Sequence, residues 1–176
     1  MRHLTKRTLA YFIDCLIAFS VVMVVFQWGL ASNLRHLVGI TDDWFRDSWH
    51  MQLYVSLTIS LPVWLYFSYF DSRLSKGTFG KRIFGFRVTD LKLKPIGFGK
   101  AFLRTALKLL PWEIAHAGVI FPTPSYYEAE PDIRLMSIIG ILLFVAYVLS
   151  ILFNKERRAL YEWMVNTKVI IQVKMY

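Results

Sequence analysis

Asp14 is a carboxylate inside an apolar run. Residues 8–30 carry no other charge, and a stretch of that length crosses a bilayer. An ionisable group there needs a partner, a proton or a cavity. Arg7 stands at the mouth of the run, seven residues earlier, so on a helix of about two turns both side chains share a face. Desolvation favours the protonated acid, whereas a nearby guanidinium favours the ionised one, and such a balance suits proton or cation handling. Glu113 and His116 form a second set at i and i+3, a spacing that fits a shared proton or metal. A metal site needs more ligands than this pair, so the expectation is no metal. A hydrogen-bonded pair inside a bundle and a proton-linked role both remain open. Glu162, flanked by Tyr161 and Trp163, is a partner for Arg7 at the same mouth. No serine–histidine–acid, cysteine–histidine or two-carboxylate arrangement stands out, so the expectation is a protein that is not an enzyme and uses no cofactor.

The elements that must hold these groups are helices in a membrane. The 176 residues are 56% hydrophobic, and several runs approach 20 residues. The first run is too long for the core of a cleavable signal peptide. Cys15, the single cysteine, reads as a small apolar packer. Four spans are expected, at 8–30, 51–70, 109–121 and 135–153, in one domain covering 1–176. The net charge of +9 is sorted by side. With the N-terminus inside, 18 of the 21 basic residues fall in the N-terminus, the 71–108 loop and the 154–176 tail. Arg35, Arg46 and Arg134 face six acids on the other side. This pattern predicts a multi-pass protein of the cell membrane with both termini cytoplasmic. The basic surplus then serves topology and anionic lipid, and no nucleic acid is expected.

The third segment is the ambiguous one. Lys100, Arg104 and Lys108 line one helix face, opposite Phe98, Ala101, Phe102, Thr105 and Leu109. The expectation is an amphipathic basic helix at the inner interface, broken or kinked at Pro111, and then a short tilted span. A re-entrant hairpin over 109–153 is the alternative. Pro62 is expected to kink the second span. Trp28, Trp44, Trp49 and Tyr54 form an aromatic belt. Arg157 and Arg158 read as interfacial basic anchors after the last span. Gly77-Thr-Phe-Gly80-Lys81-Arg82 lacks the spacing of a phosphate-binding loop and reads as a tight turn with basic flanks. Residues 84–90 and 167–173 alternate as strands do, and each alone leaves backbone unpaired, so they are predicted to pair as a two-stranded ribbon.

Four segments resemble, in order, the RDD family of membrane proteins: 6–14, 77–90, 95–104 and 157–169. The resemblance implies that Arg7 is the family arginine and Asp14 its first aspartate. Glu162 stands where the closing motif usually has an aspartate, and Asn166 where it usually has a glycine. The outer insert around 115–134 is longer than in compact members. The family implies a multi-pass membrane protein proposed to take part in transport. The expected fold is therefore an all-α bundle of about four transmembrane helices, with a basic amphipathic helix and a short ribbon. Two functions are weighed. In the first, the chain transports a cation, a proton or another small ligand, through Asp14 gated by Arg7, with Glu113 and His116 as secondary sites. Four spans are few for a carrier, which points to a homo-oligomer. In the second, it is an adaptor or assembly factor for another membrane protein, and Arg7, Asp14 and Glu162 form a structural clamp.

Overall fold

The computed structural model describes residues 2–171, with side chains from residue 5. Gln172 and Val173 of the expected ribbon, Lys174 of the basic tail and the side chain of Arg2 lie outside the described residues. Among the described residues, three helices are long and apolar enough to cross a membrane: Thr5–Val38, Ser48–Asp71 and Leu135–Phe153. The first combines α1 (Arg2–Val21), a π-helical stretch (Val22–Ala31) and α2 (Ser32–Val38). The second combines α3 (Ser48–Val55), a π-helical turn (Ser56–Ser60) and α4 (Leu61–Asp71). Then come α5 (Phe79–Ile83), β1 (Phe86–Asp90), α6 (Phe98–Ile120), α7 (Leu135–Phe153), α8 (Leu160–Met164) and β2 (Thr167–Ile171). Phe12, Phe19 and Leu142 are each about 60% exposed, which is an apolar exterior suited to lipid rather than water.

One helical expectation changes at proline. Pro111 does not break its helix, and α6 runs through it for 23 residues. A proline interior to a helix orphans the carbonyl four residues back, here that of Leu107. The Tyr147 hydroxyl donates to this carbonyl at 2.9 Å, so the missing bond is replaced from α7. At Pro62 the helix adapts without a break: the five residues from Ser56 wind as π-helix before α4 resumes. Such turns absorb register changes inside helices.

The chain forms two compact units. The first takes in Met1–Ala18, Trp64–Lys108 and Val145–Tyr176. It contains the ribbon, in which β1 pairs antiparallel with β2 in the register Phe86↔Ile171 to Asp90↔Thr167. Val88, Ile96 and Ala101 are buried together, with Val169 packed against them. The first strand begins at Phe86 rather than Phe84, because Phe84 and Gly85 close the turn after α5. Their amides donate to Gly80 and Arg82, and Gly85 has φ +70°. The second unit takes in Phe19–Val63 and Leu109–Phe144. There Gly140 lies against Ala115: a Cβ at 140 would sit 3.0 Å from the Ala115 amide nitrogen. Such close approach of small residues is how helices pack where lipid removes the hydrophobic drive.

Candidate functional site

Asp14 is fully buried, and both of its oxygens are used. The Thr78 hydroxyl donates to Oδ2 at 2.5 Å, and the Gly80 amide donates to Oδ1 at 2.7 Å. The local reason is α5, a helix too short to satisfy its own first amides. Thr78 sits at its N-cap but turns its hydroxyl to Asp14 instead of its own helix. Gly80 permits the approach, since a Cβ there would run into the Ala10 carbonyl. The segment read as a plain turn is therefore the piece that docks onto α1.

A chain of ion pairs lies in the same unit. Arg7 Nη2 donates to Glu162 Oε1 at 2.8 Å, and Arg104 Nη2 donates to the same oxygen at 2.7 Å. Arg104 Nη1 donates to Asp71 Oδ2 at 2.8 Å, and Lys81 Nζ donates to Asp71 Oδ1. The Ala159 amide donates to Glu162 Oε2 at 3.1 Å. All six oxygens of Asp14, Asp71 and Glu162 thus have donors. The ion-pair chain thus sets two carboxylates, Asp71 and Glu162, against three cations (Arg7, Lys81 and Arg104), while Asp14 is held by neutral donors. Burial opposes ionisation of Glu162, but Arg7 and Arg104 outweigh it and hold its carboxyl below the usual range. Burial pushes the Tyr161 hydroxyl up to about 12, with Glu162 adding to the effect. The Arg104 guanidinium lies 5.2 Å from the centre of the Tyr161 ring.

Several expected roles move. Arg7 and Asp14 share a face, but among the described residues they hold different partners. Seven residues of helix separate them by about 10.5 Å along the axis, and each is already anchored. Arg104 is not an interfacial cation, being 1% exposed. Four-residue spacing defines a face but not its direction, and here the carboxylates of Asp71 and Glu162 draw that face inward. Lys108 is half-buried, its ammonium 3.7 Å from the centre of the Phe67 ring. Lys100 is half-buried and Arg157 exposed. Arg158 is buried, donating to the carbonyls of Thr167 and Glu162, and so ties β2 to α8.

Glu113 and His116 lie in the second unit. The Ser60 hydroxyl donates to Glu113 at 2.9 Å. His116 stacks on Trp112 with ring centres 5.6 Å apart, and its buried Nδ1 has no hydrogen-bond partner among the described residues. In the same unit, Tyr54 and Gln27 bond at 2.6 Å, and Gln27 and Thr58 at 2.7 Å. Among the described residues no group of three or more His, Cys, Asp or Glu side chains could hold a metal.

Sequence reasoning missed Asp71, Lys81, Thr78 and Gly80. A signal was present for Asp71: it closes an otherwise uncharged span, where a buried acid demands a cation. The sequence model of the RDD family matches residues 1–166. The chain belongs to the RDD family. No curated relative and no solved structure matches it. The two departures of this RDD protein from the usual closing motif fit its geometry. Asn166 has φ +50°, a left-handed conformation that asparagine tolerates better than most residues with a Cβ. The longer side chain of Glu162 reaches two arginines and the first turn of its own helix.

Proposed function

We propose that this RDD protein is a non-enzymatic adaptor or assembly factor of the cell membrane, with four spans and both termini cytoplasmic, whose Arg/Asp/Glu set is a structural clamp. One observation carries the reading: every oxygen of Asp14, Asp71 and Glu162 is bonded to a protein donor. A carboxylate that loads and releases cargo needs an oxygen open to it, and these offer none. The fourth span is the part of α6 from residue 109 onward, short and tilted, with the Lys108 stem at its inner end. The basic residues of the N-terminus, the 71–108 loop and the tail support the orientation. The working partner is another membrane protein, which the clamped fold presents to the bilayer.

The second reading is transport of a cation or proton by a homo-oligomer. It is favoured by Ser60 bonded to Glu113 and the unpartnered nitrogen of His116 in one unit. Glu113, rather than Asp14, would then be the exchanging carboxylate. Flux measurements on the purified protein in sealed vesicles separate the two. The clamp reading expects sodium, potassium and proton fluxes equal to those of empty vesicles. Flux above that baseline, abolished by Glu113→Gln with the fold intact, would overturn it in favour of transport.

A further inference from the structure

Beside the Asp14 cradle, α1, α4 and α5 leave a cavity of about 290 Å³. Ile17, Tyr66, Phe70 and Phe79 line it, and Arg82 is the one charged residue on its wall. All five belong to the first unit. Their neighbours on α5 are committed elsewhere: Gly80 to Asp14 and Lys81 to Asp71. The Arg82 side chain is exposed, and among the described residues it forms no ion pair.

The position of these walls selects the ligand. Ile17 lies in the apolar helix Thr5–Val38, and Tyr66 and Phe70 lie in Ser48–Asp71, both long enough to cross a membrane. A molecule filling this groove meets hydrocarbon and aromatic surface along its length and a guanidinium at one place. A guanidinium pairs with phosphate through parallel N–H donors, more specifically than an ammonium does. A small soluble anion would leave the aromatic walls uncovered, and a neutral lipid would leave Arg82 unanswered. We propose that the groove holds one anionic glycerophospholipid, its phosphate on Arg82 and an acyl chain along Ile17, Phe70 and Phe79. This site differs from diffuse attraction of basic loops to an acidic surface, because it requires both the single cation and the shaped walls.

The test is native mass spectrometry of the full-length detergent-purified protein, titrated separately with phosphatidylglycerol, phosphatidylcholine and inorganic phosphate. One phosphatidylglycerol adduct is expected at a concentration about tenfold below that needed for phosphatidylcholine. Arg82→Gln removes this preference, whereas Lys92→Gln, an exposed cation outside the groove, keeps it. Ile17→Trp fills the groove without changing charge, and it also removes the adduct. Circular dichroism melts matching the wild type establish that the variants are folded. If Ile17→Trp misfolds, Phe79→Ala, at a half-exposed wall position, gives the same readout by weakening the adduct. Equal binding of the two lipids overturns the proposal. So does an adduct that survives Arg82→Gln, one lost equally in Lys92→Gln, or one displaced by millimolar phosphate.

Discussion

Glu162 accepts from two guanidiniums and from the first turn of its own helix. Removing one partner of a buried pair costs about 3–5 kcal/mol, because the remaining charges are stranded. Glu162→Gln is therefore expected to lower unfolding stability by about 3 kcal/mol in detergent, and Glu162→Asp by less; an effect near zero would count against the clamp. The acid also sets a pH dependence. Its pKa is depressed in the fold, so its stabilisation is complete above the ordinary glutamate value of about 4.3. That contribution fades as pH falls through the lower folded-state value. Thermal melts between neutral and acidic pH are expected to show this loss in the native protein, with a flatter profile in Glu162→Gln. At Asp14 the geometry separates charge from hydrogen bonding. Asparagine can still accept from Gly80 and donate to Thr78, so Asp14→Asn is expected to cost about 1 kcal/mol. Asp14→Leu strands both donors and costs more.

Helix α6 carries a replacement for its lost hydrogen bond on another helix. Tyr147→Phe leaves the Leu107 carbonyl bare and is expected to cost about 1–3 kcal/mol. In a Pro111→Ala background, which restores the amide, the same change is expected to cost little. A double-mutant cycle with no coupling would refute the link. This pairing also explains what the sequence hid. Pro111 announced a break, but its remedy lies in a tyrosine 36 positions later, with no local mark. The ribbon was readable because alternation at 86–90 and 167–171 is a local signal and unpaired backbone forces a partner. The Arg7–Glu162 pair was readable because Glu162 is an acid among the many basic residues of that side. The inward turn of Arg104 was not, since spacing alone leaves the direction of a face open. Nor was the docking of 78–80 onto α1, which depends on a missing Cβ. Gly80→Ala tests that element directly: the new methyl meets backbone rather than a movable side chain. Such overpacking is expected to cost about 1–3 kcal/mol in the same unfolding assay.

For the molecule as a whole, the four-span reading makes a prediction about sides. Single cysteines at Lys92 and at Arg134, each in a Cys15→Ser background, are expected to react with an impermeant maleimide from opposite faces of sealed vesicles. Labelling of both from one side would remove a span from the fold. The ion-pair chain has a consequence in time as well as in space. Its members come from α1, the end of α4, α5, α6 and α8, so they leave the ribosome far apart. Until residue 162 is made, Arg7 lacks its carboxylate and Arg104 has only Asp71. A chain halted at residue 153 holds every apolar span and still carries this imbalance. The tie between the first helix and α8 therefore closes only after all the apolar spans have been made.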